Sequence, residues 1–232
     1  MRKFIKRCFW RAFLLLVGVV LAYQLWILGH VVYWNSYNPS TSAFMRNQLD
    51  ALRHKGVTPA LHTQWMPYER ISPHLKRAII AAEDGKFLEH EGFDFEAIQK
   101  AYEKNLKTGR WAAGGSTISQ QLAKNLFLSS EKTPWRKLQE AVITLMLENV
   151  MSKRRILEIY LNVIEWGNGV FGAEAAIRYY YGISASSVTA EQAARLAAMI
   201  PNPRFYDRNR NTPWLSRKTD IILSRMASTQ IP

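Results

Sequence analysis

The chain has 232 residues, with 31 Lys and Arg against 18 Asp and Glu, a formal net charge of +13, and one Cys. That length suits one domain with or without an anchor and can bury a core unaided; the single Cys excludes an intramolecular disulfide or Cys-rich zinc site, and 48% hydrophobic residues with eight Trp exclude a disordered chain. The charge asks for an anionic partner: nucleic acid, an anionic membrane surface or a phosphorylated substrate.

Residues 1–11 form a basic tail carrying Arg2, Lys3, Lys6, Arg7 and Arg11 and no acid. Residues 12–34 are then apolar except for Gln24 and His30, long enough for a transmembrane helix of ~20 residues. The run is long for a signal-peptide core, no Ala-x-Ala pattern follows it, and Cys8 precedes it, which does not fit a lipoprotein signal. The competing interpretation is a cleaved signal peptide. The basic flank stays in the cytoplasm and the rest of the chain lies outside, with Trp10, Trp26, Tyr33 and Trp34 near the two interfaces. Without the tail, 26 basic and 18 acidic residues remain, a surplus of +8. Outside the cytoplasm that surplus meets lipid headgroups and lipid-linked phosphates, and no nucleic-acid partner is expected.

Residues 35–64 read as a linker, with a short amphipathic stretch from Phe44 to Leu52, and residues 65–232 as one mainly α domain. No sustained period-2 alternation and no Asn-Gly or Asp-Gly turn marks a strand. Ser72-Pro73 starts a helix with Leu75, Ala78, Ile79 and Ala82 inward and Gly85 as its stop. Thr117 with Gln120, and Thr189 with Gln192, form capping boxes, the latter helix ending at Ile200 before Pro201. Thr133-Pro134 starts a helix expected to turn Leu138, Val142, Leu145 and Met146 inward, and Ser152 caps another through Ile156, Ile159 and Tyr160. Residues 202–213 read as a loop before a last helix from about Trp214.

Glu83 and Asp84 sit at a helix C-terminus, where the helix dipole disfavours negative charge. Glu83 falls four residues after Ile79, near the buried face. Burial, the dipole and Asp84 would all raise its pKa toward that of a useful base, although a solvated acidic helix end fits the position equally. Phe87, His90 and Asp94 follow; His90 has no second His nearby and suits a hydrogen bond holding the loop after Glu83. Gly114-Gly115-Ser116-Thr117 before a helix reads as a phosphate cradle without the Gly-Lys-Ser/Thr of a nucleotide loop. Gln120 with Lys124, and Gln121 with Asn125, pair at helical spacing. Arg136 and Glu140, with Lys132 and Lys137 close by, are either surface ion pairs or a cationic diphosphate pocket beside a second carboxylate. Lys153-Arg154-Arg155 reads as solvated or lipid-facing.

These fragments together resemble the family-51 peptidoglycan glycosyltransferases. Residues 83–94, from Glu83-Asp84-Gly85-Lys86-Phe87 to Asp94, resemble the first motif of that family. Residues 114–125, with Gly114-Gly115-Ser116-Thr117 and Gln120-Gln121, resemble the second, and Arg136-Lys137-Leu138-Gln139-Glu140 the third. Lys153 through Asn162 is similar to the fourth, and Gly167 to Gly182, with Gly172-Ala173-Glu174-Ala175-Ala176, to the fifth. Five motifs in order, over roughly residues 65 to 225, cover almost all of the outer part.

The resemblance implies a mainly α, lysozyme-like domain with a small membrane-proximal jaw lobe, preceded by one transmembrane helix. It implies polymerisation of lipid II into β-1,4-linked glycan strands at the bacterial inner membrane, with inversion at MurNAc C1 and release of polyprenyl diphosphate. Glu83 matches the base for the acceptor 4-hydroxyl. Lys124 and Arg136 match cations of the diphosphate region. Glu140 matches a second glutamate that either assists there or positions a divalent metal such as Mg²⁺ or Mn²⁺. Ser116, Thr117, Gln120, Gln121 and Asn125 match the donor cleft wall. Implied partners are lipid II, the growing strand, the membrane, and other cell-wall synthesis or division proteins. Lys132 stands where many members carry Arg, which removes bidentate phosphate geometry, and Glu165-Trp166 replaces a more common aromatic pair, as in monofunctional members. Ser129-Ser130-Glu131-Lys132, Ser36-Tyr37-Asn38 and Lys107-Thr108-Gly109 match transpeptidase signatures in reversed order, and no transpeptidase is expected. The alternatives are a lytic enzyme on a lysozyme-like fold and a non-catalytic scaffold.

Overall fold

The computed structural model describes every residue except Met1, Lys55, Val57, Pro59, residues 110–113 and Lys132. Helix α1 (Arg2–Ser36) is followed by α2 (Ala43–His54), β1 (His62–Thr63), α3 (Pro73–Glu83), α4 (Phe95–Thr108), α5 (Ile118–Phe127), α6 (Pro134–Val150) and α7 (Lys153–Val163). Then come β2 (Glu165–Gly167), β3 (Val170–Phe171), α8 (Ala173–Tyr181), α9 (Ala190–Met199), α10 (Pro203–Arg208) and α11 (Pro213–Met226). The architecture is mainly α, as expected. Helix α9 packs against both α3 and α11, and α5 packs against α6 and α7. The side chains of Ile79, Leu122, Ile156 and Leu196 are fully buried in the core.

The caps explain the boundaries. Ser72, Thr117, Thr133, Ser152 and Thr189 all accept a hydrogen bond from a backbone N–H in the first turn of their helices, and both expected capping boxes form. Helix α3 ends at Glu83 with Asp84 as its C-cap, one residue before the expected glycine.

Four sequence expectations need correction. A small three-stranded sheet exists, in the order β1–β3–β2, with β1 parallel and β2 antiparallel to β3. Strands of two or three residues are too short to display alternation. Residues 203–208 of the expected loop form α10, begun by Pro203 in its first turn. Helix α6 buries Gln139, Glu140, Ile143, Thr144 and Leu147 instead of the expected row, and Leu138 and Leu145 are 55% and 50% exposed. That helix has two usable stripes, and the core takes the one that brings the polar pair Gln139 and Glu140 inward. Finally, Lys153 and Arg155 are not solvated: their side chains are 19% and 12% exposed, and each pairs with a carboxylate that is itself only 6% or 15% exposed.

Helix α1 carries an apolar stretch within Lys6–Ser36 whose most apolar window has mean hydropathy 2.2. It is a single-pass membrane anchor, with its basic N-terminal flank on the cytoplasmic side. The anchor also belongs to the fold. Ile27 and Val31 are fully buried, Gln24 Nε2 donates to Gln139 Oε1 at 2.8 Å, and the Trp34 ring lies 5.2 Å from that of Phe127.

Candidate active site

The site begins where α3 stops. The Asp84 backbone N–H donates to Ile80 O at 2.9 Å, closing the helix. The buried Asp84 carboxylate then bridges two segments: Oδ1 lies 2.8 Å from His90 Nε2, and Oδ2 accepts from the Ile118 N–H at 2.9 Å. The Gly92 N–H donates to His90 Nδ1 at 3.1 Å. Nδ1 is therefore the acceptor, and Nε2 carries the proton donated to Asp84. His90 thus holds the loop after Glu83, the role its isolation in sequence suggested. Asp94 caps α4, and Phe87 is fully buried beneath the Lys153 ammonium, 4.7 Å from its ring centroid.

The glycine pair before α5 has a different use from the one expected. Asp84 occupies the Ile118 N–H, and Thr117 Oγ1 takes that of Gln120, so a protein carboxylate fills the helix N-terminus where a phosphate cradle was anticipated. Gly115 is needed for close approach, because a Cβ there would sit 2.8 Å from Ile98 Cα on α4. Gly92 has φ +90°, and its carbonyl accepts from Thr117 Oγ1 at 2.7 Å. Thr117 Oγ1 and Gln120 Oε1 are both engaged in this cap.

Glu83 is half-buried at the end of α3. Its Oε2 accepts from Gln121 Nε2 at 2.8 Å, while Gln121 Oε1 accepts from the Tyr160 hydroxyl at 2.8 Å. Tyr160 is fully buried, and burial, with help from Glu83 and Asp84, pushes its pKa well above the usual phenol value. It therefore stays protonated and fixes which way the Gln121 amide points. Burial also raises the Glu83 pKa above the ordinary carboxylate value, and Asp84 adds to the rise. The Gln121 hydrogen bond and the charges of Lys218 and Lys124 oppose it. Asn125 sits on the same helix, its Nδ2 donating to Gln121 O at 2.8 Å.

A second carboxylate stands in the opposite environment. Buried Glu140 accepts from Arg136 Nη1 at 2.5 Å and from Lys137 Nζ. Lys137 Nζ also lies 3.4 Å from Ser116 Oγ, which ties the glycine-rich turn to this cluster. Among the described residues the Lys124 ammonium has no hydrogen-bonding partner and lies 5.7 Å from the Phe44 ring centroid. Burial lowers the Lys124 pKa, Arg136 and Lys137 lower it further, and Glu140 and Glu83 counteract. Lys124 therefore feels both carboxylates and links the two halves of the site. Lys132, expected here, lies outside the described residues. Glu83, Asp84 and Gly114–Thr117 line a cavity of about 520 Å³, together with Arg225 at the end of α11 and Ser228, Thr229 and Gln230 beyond it.

Both oxygens of Glu140 serve cations, and no group of three or more His, Cys, Asp or Glu side chains among the described residues is placed to hold a metal. These side chains do not form a metal cage on their own.

Three contributors were given no site role of their own by the sequence reasoning. Lys137 stands beside Arg136 in the cationic-pocket alternative, and its place three residues before Glu140 on the same helix was the usable signal. Tyr160 reads as an ordinary core aromatic, and Lys218 as a surface cation on α11, because neither has a local pattern tying it to Glu83. Lys153 is a fourth, indirect case: its Nζ binds Glu148 Oε1 at 2.8 Å and His90 O at 2.5 Å, bracing the loop that carries His90.

Residues 51–227 match the transglycosylase family. The chain is 76% identical over 229 residues to the biosynthetic peptidoglycan transglycosylase of Nitrosospira multiformis, covering 99% of this chain and 100% of that one. It is 64% identical over 228 residues to the protein of the same name from Methylobacillus flagellatus, covering 98% and 100%. The namesake from Chromobacterium violaceum is 62% identical over 217 residues, covering 94% and 95%.

Proposed function

The chain belongs to the transglycosylase family, and on that footing we propose that it polymerises lipid II into β-1,4-linked glycan strands at the outer face of the inner membrane, with Glu83 as the base. The observation that carries this reading is the pairing of a half-buried Glu83, whose pKa is raised, with a separate cluster of Lys124, Arg136 and Lys137 around Glu140.

Glu83 takes the proton of the acceptor GlcNAc 4-hydroxyl as that oxygen attacks C1 of the donor MurNAc. The C1–O bond to the diphosphate breaks on the opposite side, and its electron pair leaves with the diphosphate. An α-linked donor therefore yields a β-linked product. Gln121 donates to Glu83 and keeps one oxygen oriented, and Tyr160 prevents the amide from turning. Lys124, Arg136 and Lys137 neutralise the charge that develops on the leaving group, a task worth several kcal/mol in a water-poor site. A diphosphate so neutralised needs no proton, whereas a sugar alkoxide leaving in a hydrolase needs a general acid. Glu140, which accepts from two cations, is arranged to position them, not to supply a proton. A divalent ion at this place would be held by Glu140 and by diphosphate oxygens, adding further charge neutralisation.

The test is polymerisation of lipid II by the full-length protein in detergent, wild type beside Glu83→Gln. Polymer from the wild type and none from the variant is expected. Normal polymerisation by Glu83→Gln removes Glu83 as the base, and release of soluble fragments from isolated cell walls without polymer replaces the synthetic reading with a lytic one.

A further inference from the structure

Most of the basic surplus outside the cytoplasmic tail lies away from the Glu140 cluster. Arg195, Arg204, Arg208, Arg210, Arg217 and Lys218 fall within residues 195–218, where Asp207 is the one acid, so that span holds +5 of the outer +8. Aromatic rings are interleaved with these cations. Tyr179, Phe205 and Trp214 are exposed, the Trp214 ring stacks on that of Tyr206 at 5.2 Å and 10°, and the Arg210 guanidinium lies 4.8 Å from the Tyr180 ring centroid. Arg204 and Arg210 are paired, with Glu165 and Asp207. Arg208 gives its Nε to a carbonyl, Arg204 O at 3.3 Å, and among the described residues neither Arg208 nor Arg217 has an acidic partner. Arginines without partners beside exposed aromatic rings have the composition of a binding surface.

This surface is continuous with the site. On α11, Trp214, Lys218, Ile221 and Arg225 follow at spacings of four, three and four, so they form one stripe. Arg225 lines the cavity that holds Glu83, and the charge of Lys218 lowers the Glu83 pKa. Trp214 is therefore the outer end of a stripe whose inner end reaches the base. Helix α10 makes a second link, through the 2.7 Å bond from Arg204 Nε to Glu165 Oε1, five residues after Tyr160. The occupant must extend away from Glu83, offer flat faces to the rings and offer anions to the arginines. A sugar ring lays its C–H-rich face on an aromatic ring, whose face is electron-rich. The strand proposed above also bears a peptide with free carboxylates on each MurNAc. A guanidinium fork pairs bidentately with a carboxylate, and five of the six cations are Arg. A lipid surface would attract Lys as well as Arg, and an acidic protein has no need of a stripe that runs on to Glu83.

We propose that the α10–α11 surface holds the outgoing glycan strand, with sugars on Trp214 and Phe205 and a stem-peptide carboxylate at Arg208, beyond the two sugars being joined. The proposal rests on the synthetic reading above, and its test does not require turnover. Binding of soluble, uncrosslinked glycan strands to the full-length protein in detergent is measured with the stem peptides present and after an amidase has removed them. Wild type should bind the peptide-bearing strand about fivefold more tightly than the stripped one, as one charge-assisted contact allows. Arg208→Gln should erase that difference, and Lys104→Gln, which removes an exposed charge on α4, should retain it. Trp214→Ala should weaken both strands by a similar factor. A peptide-dependent difference that survives Arg208→Gln overturns the proposal. So does binding of poly-glutamate or of phosphatidylglycerol vesicles as tight as that of the strands and lost in Arg208→Gln, which puts an acidic protein or the membrane on this surface. Arg208 is exposed, so its variant decides the matter even if Trp214→Ala does not fold. Failure of this pattern in a protein that polymerises lipid II removes only the surface assignment; the pattern in a protein that makes no polymer supports the surface and counts against the activity.

Discussion

Replacing Arg155 with Met should release the outer end of the membrane helix from the domain. Arg155 sits near the start of α7 and reaches across to the C-terminal end of α1. Its Nε donates to Trp34 O at 2.9 Å, and its Nη2 donates to Tyr37 O at 2.6 Å and to Asn38 Oδ1 at 3.0 Å. Its Nη1 pairs with Glu158 Oε2 at 2.7 Å, and Glu158 Oε1 accepts from the Tyr68 N–H at 3.1 Å. A cation bonded to the last carbonyls of a helix is favourable for the dipole as well. Met keeps most of the stem volume and removes every one of these bonds.

The two charged side chains are 12% and 15% exposed, so solvent screens them only in part. Breaking a buried pair costs roughly 3–5 kcal/mol, and the residual exposure places this one at the lower end, ~3 kcal/mol. That corresponds to about a 100-fold shift between docked and undocked anchor. Hydrogen exchange followed by mass spectrometry should show the amides of residues 33–42 exchanging about 100-fold faster, with those of α9 and α11 unchanged. Arg155→Lys, which reaches fewer acceptors, should fall between. Unchanged exchange over 33–42 refutes the clamp. An equal rise over α3, α9 and α11 refutes it too, because Arg155 would then support the whole domain and not the seam.

The raised pKa of Glu83 predicts that the acid limb of kcat/KM against pH lies above the ordinary carboxylate range, because the base works only when ionised. The same shift carries a sign for stability: a carboxyl whose folded pKa is raised favours folding below its unfolded pKa and loses that contribution as pH rises through the folded value. Glu83→Gln should therefore melt higher than wild type at pH 7 and equal to it near pH 3, measured by calorimetry. Lys137→Met should lower kcat on lipid II by about 10²-fold with a smaller change in KM, as expected for charge stabilisation in the transition state; equal loss through KM alone would make Lys137 a ground-state contact. Gly92→Ala places a Cβ 2.7 Å from Thr144 Cγ2 at φ +90° and should cost at least ~1 kcal/mol in denaturant unfolding. Polymerisation with and without a chelator reads the metal directly: a loss restored by Mg²⁺ or Mn²⁺ assigns an ion to the Glu140 side of the site, and an unchanged rate leaves the cations to act alone.

The parts of the fold legible in the sequence were those set by local rules. Ser72, Thr117 and Thr189 announce helix starts because a cap is a contact between residues two or three apart. The α6 face was not legible, since Leu138 and Leu145 form as good a stripe as Ile143 and Leu147, and the choice is made by α1 and α5, far away in sequence. Arg155 and Lys153 misled for the same reason. A basic run looks solvated until the chain brings Trp34 O and His90 O to it from more than sixty residues away. In the site, spacing left Glu83, Arg136 and Glu140 open and the motif resemblance singled them out, whereas Tyr160 and Lys218 come near Glu83 only through tertiary packing.

On the proposed mechanism, proton transfer and charge neutralisation fall to two carboxylates in different surroundings. Glu83 receives one neutral donor, Gln121, and is otherwise desolvated, so it gains by accepting a proton. Glu140 receives two cations and serves as their counter-ion. Moving a cation onto Glu83 would weaken the base, and removing one from Glu140 would leave a buried charge uncompensated. Lys124 feels both, and burial is the main reason its pKa is lowered. A diphosphate entering beside it would supply negative charge and favour the charged ammonium. On the proposed mechanism that same anion offsets the pull of Lys124 on Glu83, leaving the base more basic when the acceptor hydroxyl arrives.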